Sequence, residues 1–192
     1  DKIGPSKDMT GNPMQVKAVT HYFKVTNDYA LVVGERFRGI FPDWHERYSK
    51  AFQAGCSLPG DDPGPFIGRA VIWKVQVLVH LDGLDAGPVA TTPEGSFRGG
   101  GFIFPDFART SLGKAIKYAP GDLCITYGSA LYHGVQKWEP LAVKKEDALN
   151  NITARHISTV FFFPEKSLIM LENQPDDWSR DTAGGLLPSA RR

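Results

Sequence analysis

Cysteine is scarce in this chain. Two residues, Cys56 and Cys124, stand among 192. That is too few for the disulfide framework of a small secreted domain, so both read as reduced, buried thiols and the chain as intracellular. Long apolar runs are missing as well. No stretch approaches the about 18 uninterrupted apolar residues of a membrane-spanning helix, so no membrane partner is expected. Nor is there a charge excess: 22 basic residues face 21 acidic ones, a formal net charge of +1. This gives no global pull toward nucleic acid or membrane, although a local basic patch stays compatible with it. The opening "DKIGPSKDMT" lacks an initiator methionine and the apolar core of a signal peptide, and reads as the start of a trimmed chain. "NIT" at 151–153 matches a glycosylation sequon, a tripeptide common by chance.

What is present is turn chemistry and enough apolar residue for a core. Glycine (20) and proline (14) are both raised, and hydrophobic residues make up 42%, which favours short strands and many turns over a helical bundle. Residues 1–13 are polar, and "MQVKAVTHYF" (14–23) has strand-like content. Asn27 can cap a helix over 28–40. Pro42 opens a second helix in which Trp44, Tyr48 and Phe52 recur every four residues, with Gly55 a stop. After a turn-rich loop (56–68) come strand-like segments. They are "AVIWKVQVLVHLD" (70–82), "GGGFIFPDF" (99–107), two strands within 117–138, and "TARHISTVFFFP" (153–164). "LAVKKEDALNN" reads as a charged insertion, and the tail from Glu172 as irregular. Helices first and strands later imply one α+β domain with a mostly β core, of the sandwich, jelly-roll or barrel kind.

The candidate chemistry lies at the strand ends. In "VHLD", His80 and Asp82 are two apart, so a regular strand points them the same way. Lys74, Gln76 and Leu78 would share their face, and Trp73, Val75, Val77 and Val79 the other. A lone HxD is usually a solvated strand face. Three later features add weight. His133 follows "PGDLCITYGSALY" by a loop. Arg155 opens an apolar strand on the parity of Ile157, Thr159 and Phe161, where an inward guanidinium would need an anionic partner. The glycines of "FRGGGFIFPDF" suit a close backbone approach. Two imidazoles and a carboxylate on one side of a metal leave the opposite positions open, which suits Fe(II). An arginine can grip a carboxylate through two hydrogen bonds.

With these pieces assembled, the chain resembles the Fe(II)/2-oxoglutarate-dependent dioxygenases over residues 70–164. The order is "HLD", "GGGFIFPDF", "YAPGDLCITYGSALYHGV", then "ARHISTVFFF", with His133 lying 51 residues after Asp82. The resemblance implies a double-stranded β-helix, a jelly-roll-like barrel with supporting N-terminal helices. It implies iron held by His80, Asp82 and His133, with 2-oxoglutarate and O2 as co-substrates and Arg155 on the distal carboxylate. The chemistry implied is decarboxylation of 2-oxoglutarate to succinate coupled to hydroxylation of a C–H bond. Many members carry a serine two residues after the arginine. Here that position is Ile157, and a regular strand turns Ser158 away, leaving Thr159 or the co-facial Gln76 and Lys74 as further co-substrate contacts.

Within the superfamily the chain looks most like the TET/JBP-like group, which oxidises methyl groups on nucleic-acid bases. That implies a modified base as substrate, with Arg36, Arg38, Lys50, Arg98, Lys114, Lys117, Lys144 and Lys145 as candidate backbone contacts. A peptide or small-molecule hydroxylase of the same superfamily remains open. So do a non-catalytic β-helix binding module and a zinc enzyme built on the same three ligands.

Overall fold

A computed structural model describes residues 3–56, 62–73, 76–105, 114–149 and 152–188. The chain divides into two compact units: Asp1–Ile67 with Phe163–Arg192, and Gly68–Phe162.

The first unit is helical: α1 (Lys7–Thr10), α2 (Pro13–Val25), α3 (Asn27–Ile40), α4 (Pro42–Gly55), α6 (Glu165–Leu171) and α7 (Trp178–Asp181). Residues 14–23 are therefore helix, not strand. The β-branched residues favoured a strand, but the start signal upstream prevails. Asn12 accepts hydrogen bonds from the Met14 and Gln15 amides, Gln15 reaches back to the Asn12 amide, and Pro13 occupies the first turn. Helices α3 and α4 fall where the sequence places them. The cap of α3 is Thr26, however, with Asn27 already inside. Their apolar faces meet in an aromatic cluster. Phe37 lies 4.7 Å from Phe66 and 5.5 Å from Tyr48 between ring centroids, and Tyr48 lies 4.9 Å from Phe163. The tail after Glu172 is mainly turns, with the short α7 inside it. Among the described residues no helix is long and apolar enough to cross a membrane.

The second unit holds the sheets, all antiparallel. One runs β1 (Gly68–Trp73), β9 (Ile157–Phe162), β2 (Val89–Glu94), β6 (Cys124–Thr126). A second runs β5 (Lys114–Ile116), β4 (Phe102–Phe104), β7 (Gly134–Val135). A third pairs β3 (Phe97–Gly99) with β8 (Trp138–Pro140), and the short helix α5 (Lys145–Leu149) fills the charged insertion. The chain is thus α+β with a substantial antiparallel core. Among the described residues these sheets do not join into one closed barrel. Strand β2 is absent from the sequence reading because Pro93 argues against an inner strand. The structure shows why it is tolerated. The Pro93 carbonyl accepts from the Gly121 amide at 2.9 Å. It therefore faces the β6 side, where pairing has stopped at Thr91, and the missing N–H falls outside a ladder. Both cysteines are free thiols, and burial pushes the Cys124 thiol up to about 11.

Strand β9 pairs on both edges, and Phe161 is almost fully buried there. Phe161→Ala should therefore cost about 3–5 kcal/mol in urea denaturation. A loss below about 1 kcal/mol would show that β9 is not the centre of the unit.

Candidate metal centre

Backbone pairing brings the two histidines together. The His80 amide donates to the His133 carbonyl at 2.9 Å, and the His133 amide donates back at 3.0 Å. Their ring centroids lie 4.4 Å apart. The next bond runs from the Val135 amide to the Val77 carbonyl at 3.0 Å. Three steps on one chain thus face two on the other, and 77–80 carries one extra residue, a bulge.

That extra residue breaks the strict alternation expected over 70–82. Val77, on the side opposite to His80 by simple parity, lines the same cavity as His80 and Asp82. Leu78, Val79 and Gln76 are exposed instead. Among its described residues the run pairs as a strand over Gly68–Trp73 and at the His80–His133 bridge, with 76–79 outside any strand. Asp82 is fixed from another direction, where its amide donates to the Gly128 carbonyl at 2.9 Å. A Cβ on Gly128 would sit 2.6 Å from Asp82 Oδ2.

The side chains then converge. His80 Nε2 lies 3.2 Å from Asp82 Oδ1, and His133 Nε2 lies 3.4 Å from Asp82 Oδ2. The three ligand atoms fall within 4.8 Å of one another, and no other such group of His, Cys, Asp or Glu occurs among the described residues. Each ring has a second fixed contact. His80 Nδ1 is 2.8 Å from the Leu78 carbonyl and His133 Nδ1 is 2.9 Å from the Leu131 carbonyl. A carbonyl only accepts, so Nδ1 carries the proton in both rings and donates it. Both Nε2 atoms are left facing Asp82, each a donor to the carboxylate when its ring is protonated and a lone pair for a metal when it is neutral. Phe102 stacks on His133 with the rings 7° from parallel and 5.5 Å apart.

The electrostatics suit a cation. The His133 hydrogen bond, set against burial and helped by the charges of His133 and His80, holds the Asp82 carboxyl below its usual range. Burial alone would lower His133, but the Asp82 hydrogen bond, the Leu131 carbonyl and the charges of Asp82 and Asp85 raise it. Asp85 is pushed up to about 7 by burial and then by the Asp82 charge. A carboxylate kept ionised between two Nε2 atoms is a donor set that fits Fe(II) or Zn(II).

Around these ligands lies a cavity of ≈ 440 Å³, within the range of small-molecule sites. Its walls are apolar at Ala70, Ile72, Val89, Val160 and Phe162, with hydroxyls at Thr91, Thr126 and Ser158. Thr91 Oγ1 is 2.7 Å from the Tyr118 hydroxyl. No lysine or arginine lines it among the described residues.

Of the residues singled out in the sequence, His80, Asp82 and His133 are brought together. Arg155, Thr159 and Gln76 are not. Arg155 is exposed, its guanidinium 6.0 Å from the Trp73 ring centre. Thr159 faces the other side of the sheet and donates to Glu94 Oε1 at 3.1 Å. Gln76 is exposed, and Lys74 lies outside the described residues. The face of β9 that lines the cavity is Ser158, Val160 and Phe162, opposite to the expected one, so Ser158 points inward. Sequence reasoning also passed over Gly128, Thr91, Tyr118 and His156, and used Asp85 only as a further acidic residue after "HLD". Ser158, off the parity counted from Arg155, was the signal for the other face; Arg155 and His156 both precede β9. Three of the candidate basic residues have acidic partners: Arg38 with Glu35, Lys50 with Glu46 and Arg98 with Glu139.

The chain matches no protein-family model and no curated protein.

Calorimetric titration with Zn(II) should show one site that disappears in His80→Ala, Asp82→Ala and His133→Ala. Gly128→Ala, whose added Cβ would stand 2.6 Å from Asp82 Oδ2, should weaken it by about 10–100-fold by displacing Asp82. Unchanged affinity in Gly128→Ala would mean that the Asp82 position is not set from that loop.

Proposed function

We propose that the chain is an intracellular Fe(II)/2-oxoglutarate-dependent dioxygenase, its sheet unit a double-stranded β-helix, that hydroxylates a C–H or methyl group. The observation that carries this is the pair of imidazoles whose Nδ1 protons are committed to the Leu78 and Leu131 carbonyls, with both Nε2 atoms converging on Asp82. His80, Asp82 and His133 would hold the metal on one side and leave its other positions open toward the cavity. Bound there, Fe(II) with 2-oxoglutarate and dioxygen supplies the oxidising chemistry, which ends in succinate, CO2 and a hydroxylated product.

The chain's own residues do the rest. The carbonyls keep the rings in register. The Gly128 carbonyl aims Asp82. Val77, Val89, Val160 and Phe162 keep water from the reacting end. Leu78, Leu81, Leu84 and Tyr132 are exposed near the ligands in sequence, and offer an apolar and aromatic surface to an incoming group. Such a surface suits an extruded methylated base, which makes a modified base in nucleic acid the first substrate to try, ahead of peptides and small molecules.

One observation favours a second reading. Arg155 lies off the cavity, and a zinc hydrolytic centre on the same three ligands would need no arginine.

Aerobic incubation with Fe(II) and 2-oxoglutarate should yield succinate, more of it with methylated oligonucleotides, and Asp82→Ala should return it to background. Zn(II)-dependent ester hydrolysis with no succinate under any condition would replace the oxygenase by the second reading.

A further inference from the structure

A second cavity, of ≈ 390 Å³, lies in the sheet unit, and none of the three candidate ligands lines it. Its size is again within the range of small-molecule sites. Phe97 and Tyr118 line it and are nearly buried, so they form its floor. Arg98, Ile116, Lys117 and Gln136 line it and are exposed, so they form its mouth. Between floor and mouth the walls are small: Gly99, Gly101, Ala115 and Ala119. The glycine run of "FRGGG" therefore serves this cavity, and the close approach it permits is visible at Gly101. A Cβ there would stand 2.8 Å from Gln136 Oε1 and 3.1 Å from the Ile116 carbonyl oxygen. Glycine lets the Gln136 amide lie against the wall and keeps the slot open above its aromatic floor.

The charge in the lining has one sign. Arg98 and Lys117 are there, and no carboxylate is. Glu139 stands beside the mouth and engages Arg98, whose Nε donates to Glu139 Oε2 at 2.9 Å and whose Nη2 donates to the same oxygen. Lys117 has no acidic partner among the described residues. An ammonium at the mouth of a slot with an aromatic floor suits a ligand with a flat ring at one end and an anion at the other. The Gln136 amide offers both a donor and an acceptor, which favours a heterocycle over a hydrocarbon ring. A nucleoside monophosphate has all of these features. A polynucleotide would need a basic track beyond the slot, and Glu139 interrupts it at Arg98. Behind the floor lies His156, fully buried, its ring centroid 4.2 Å from Phe97 and 6.1 Å from Tyr118. Packed on both floor residues, it reports on what reaches them.

We infer that the cavity between β3 and residues 115–120 is a second ligand site, for a small planar anion of the nucleoside monophosphate kind. The ring rests on Phe97 and Tyr118 and the phosphate meets Lys117. No residue of the metal centre takes part, so the site stands apart from the oxygenase reading.

The test is calorimetry on the full chain with adenosine 5′-monophosphate, adenosine, inorganic phosphate and a single-stranded oligonucleotide. The monophosphate should bind about tenfold more tightly than adenosine, as a hydrogen bond to a charged group implies, and phosphate alone should not bind. Lys117→Glu should remove the advantage of the monophosphate and leave adenosine unchanged. Ala115→Phe, at an exposed wall position, should fill the slot and abolish both. Zn(II) binding at His80, Asp82 and His133 should be the same in both variants, which shows that they fold. The ring resonances of His156 should move with the monophosphate and with adenosine, and stay still with phosphate. A monophosphate that fails to bind, binds Ala115→Phe as well as the wild type, or leaves His156 unmoved would overturn the assignment. Phosphate binding as tightly as the monophosphate would remove the ring from it. An oligonucleotide that binds more tightly than the monophosphate and is lost in the same variants would replace the small ligand by a nucleic-acid strand.

Discussion

The reciprocal backbone pair between His80 and His133 is the contact on which the candidate site depends. It joins two segments that are far apart in sequence, and it places both imidazoles on one side of the join. Everything else at the site adjusts around it. The bulge at 77–80 turns the Leu78 carbonyl toward the His80 ring, and the loop 127–132 turns the Leu131 carbonyl toward His133. The same loop supplies the Gly128 carbonyl that holds Asp82. One loop thus orients two of the three ligands, and one bulge orients the other. This is the rigid support from neighbouring groups that a metal centre needs around its ligands.

The surroundings of that pair are chemically uneven. Near the ligands the wall is apolar, with Phe102 stacked on His133 and valines beside it. Hydroxyls from Thr91, Thr126 and Ser158 lie in the same lining. Both halves come from alternation on β9 and β2, so the sheet register that buries Phe161 on one face also sets the cavity wall on the other.

Much of the site was legible in the sequence because it rests on residue types and their order. His80, Asp82 and His133 are each recognisable as donors, and two-residue spacing survives where the strand stays locally extended. The helices α3 and α4 were legible for a similar reason, since their apolar period is strong and Pro42 marks a boundary. What failed was parity carried across distance. The bulge moved Val77 to the side of His80 and sent Gln76 out, and no local residue marks it. Alternation was counted from Arg155, which lies before β9 begins at Ile157. Arginine drew the count to the wrong face because its charge seemed to demand a buried partner, whereas exposure beside Trp73 satisfies it. Strand β2 was hidden by Pro93, and α2 by its valines, each a case of tertiary or capping context overriding local propensity.

The most direct test of the central claim is an anaerobic titration of the chain with Fe(II), with and without 2-oxoglutarate, followed by visible absorption. The account predicts a weak charge-transfer band that needs both components and is absent in Asp82→Ala. A chain that binds Fe(II) at His80, Asp82 and His133 but never develops that band with 2-oxoglutarate would contradict it.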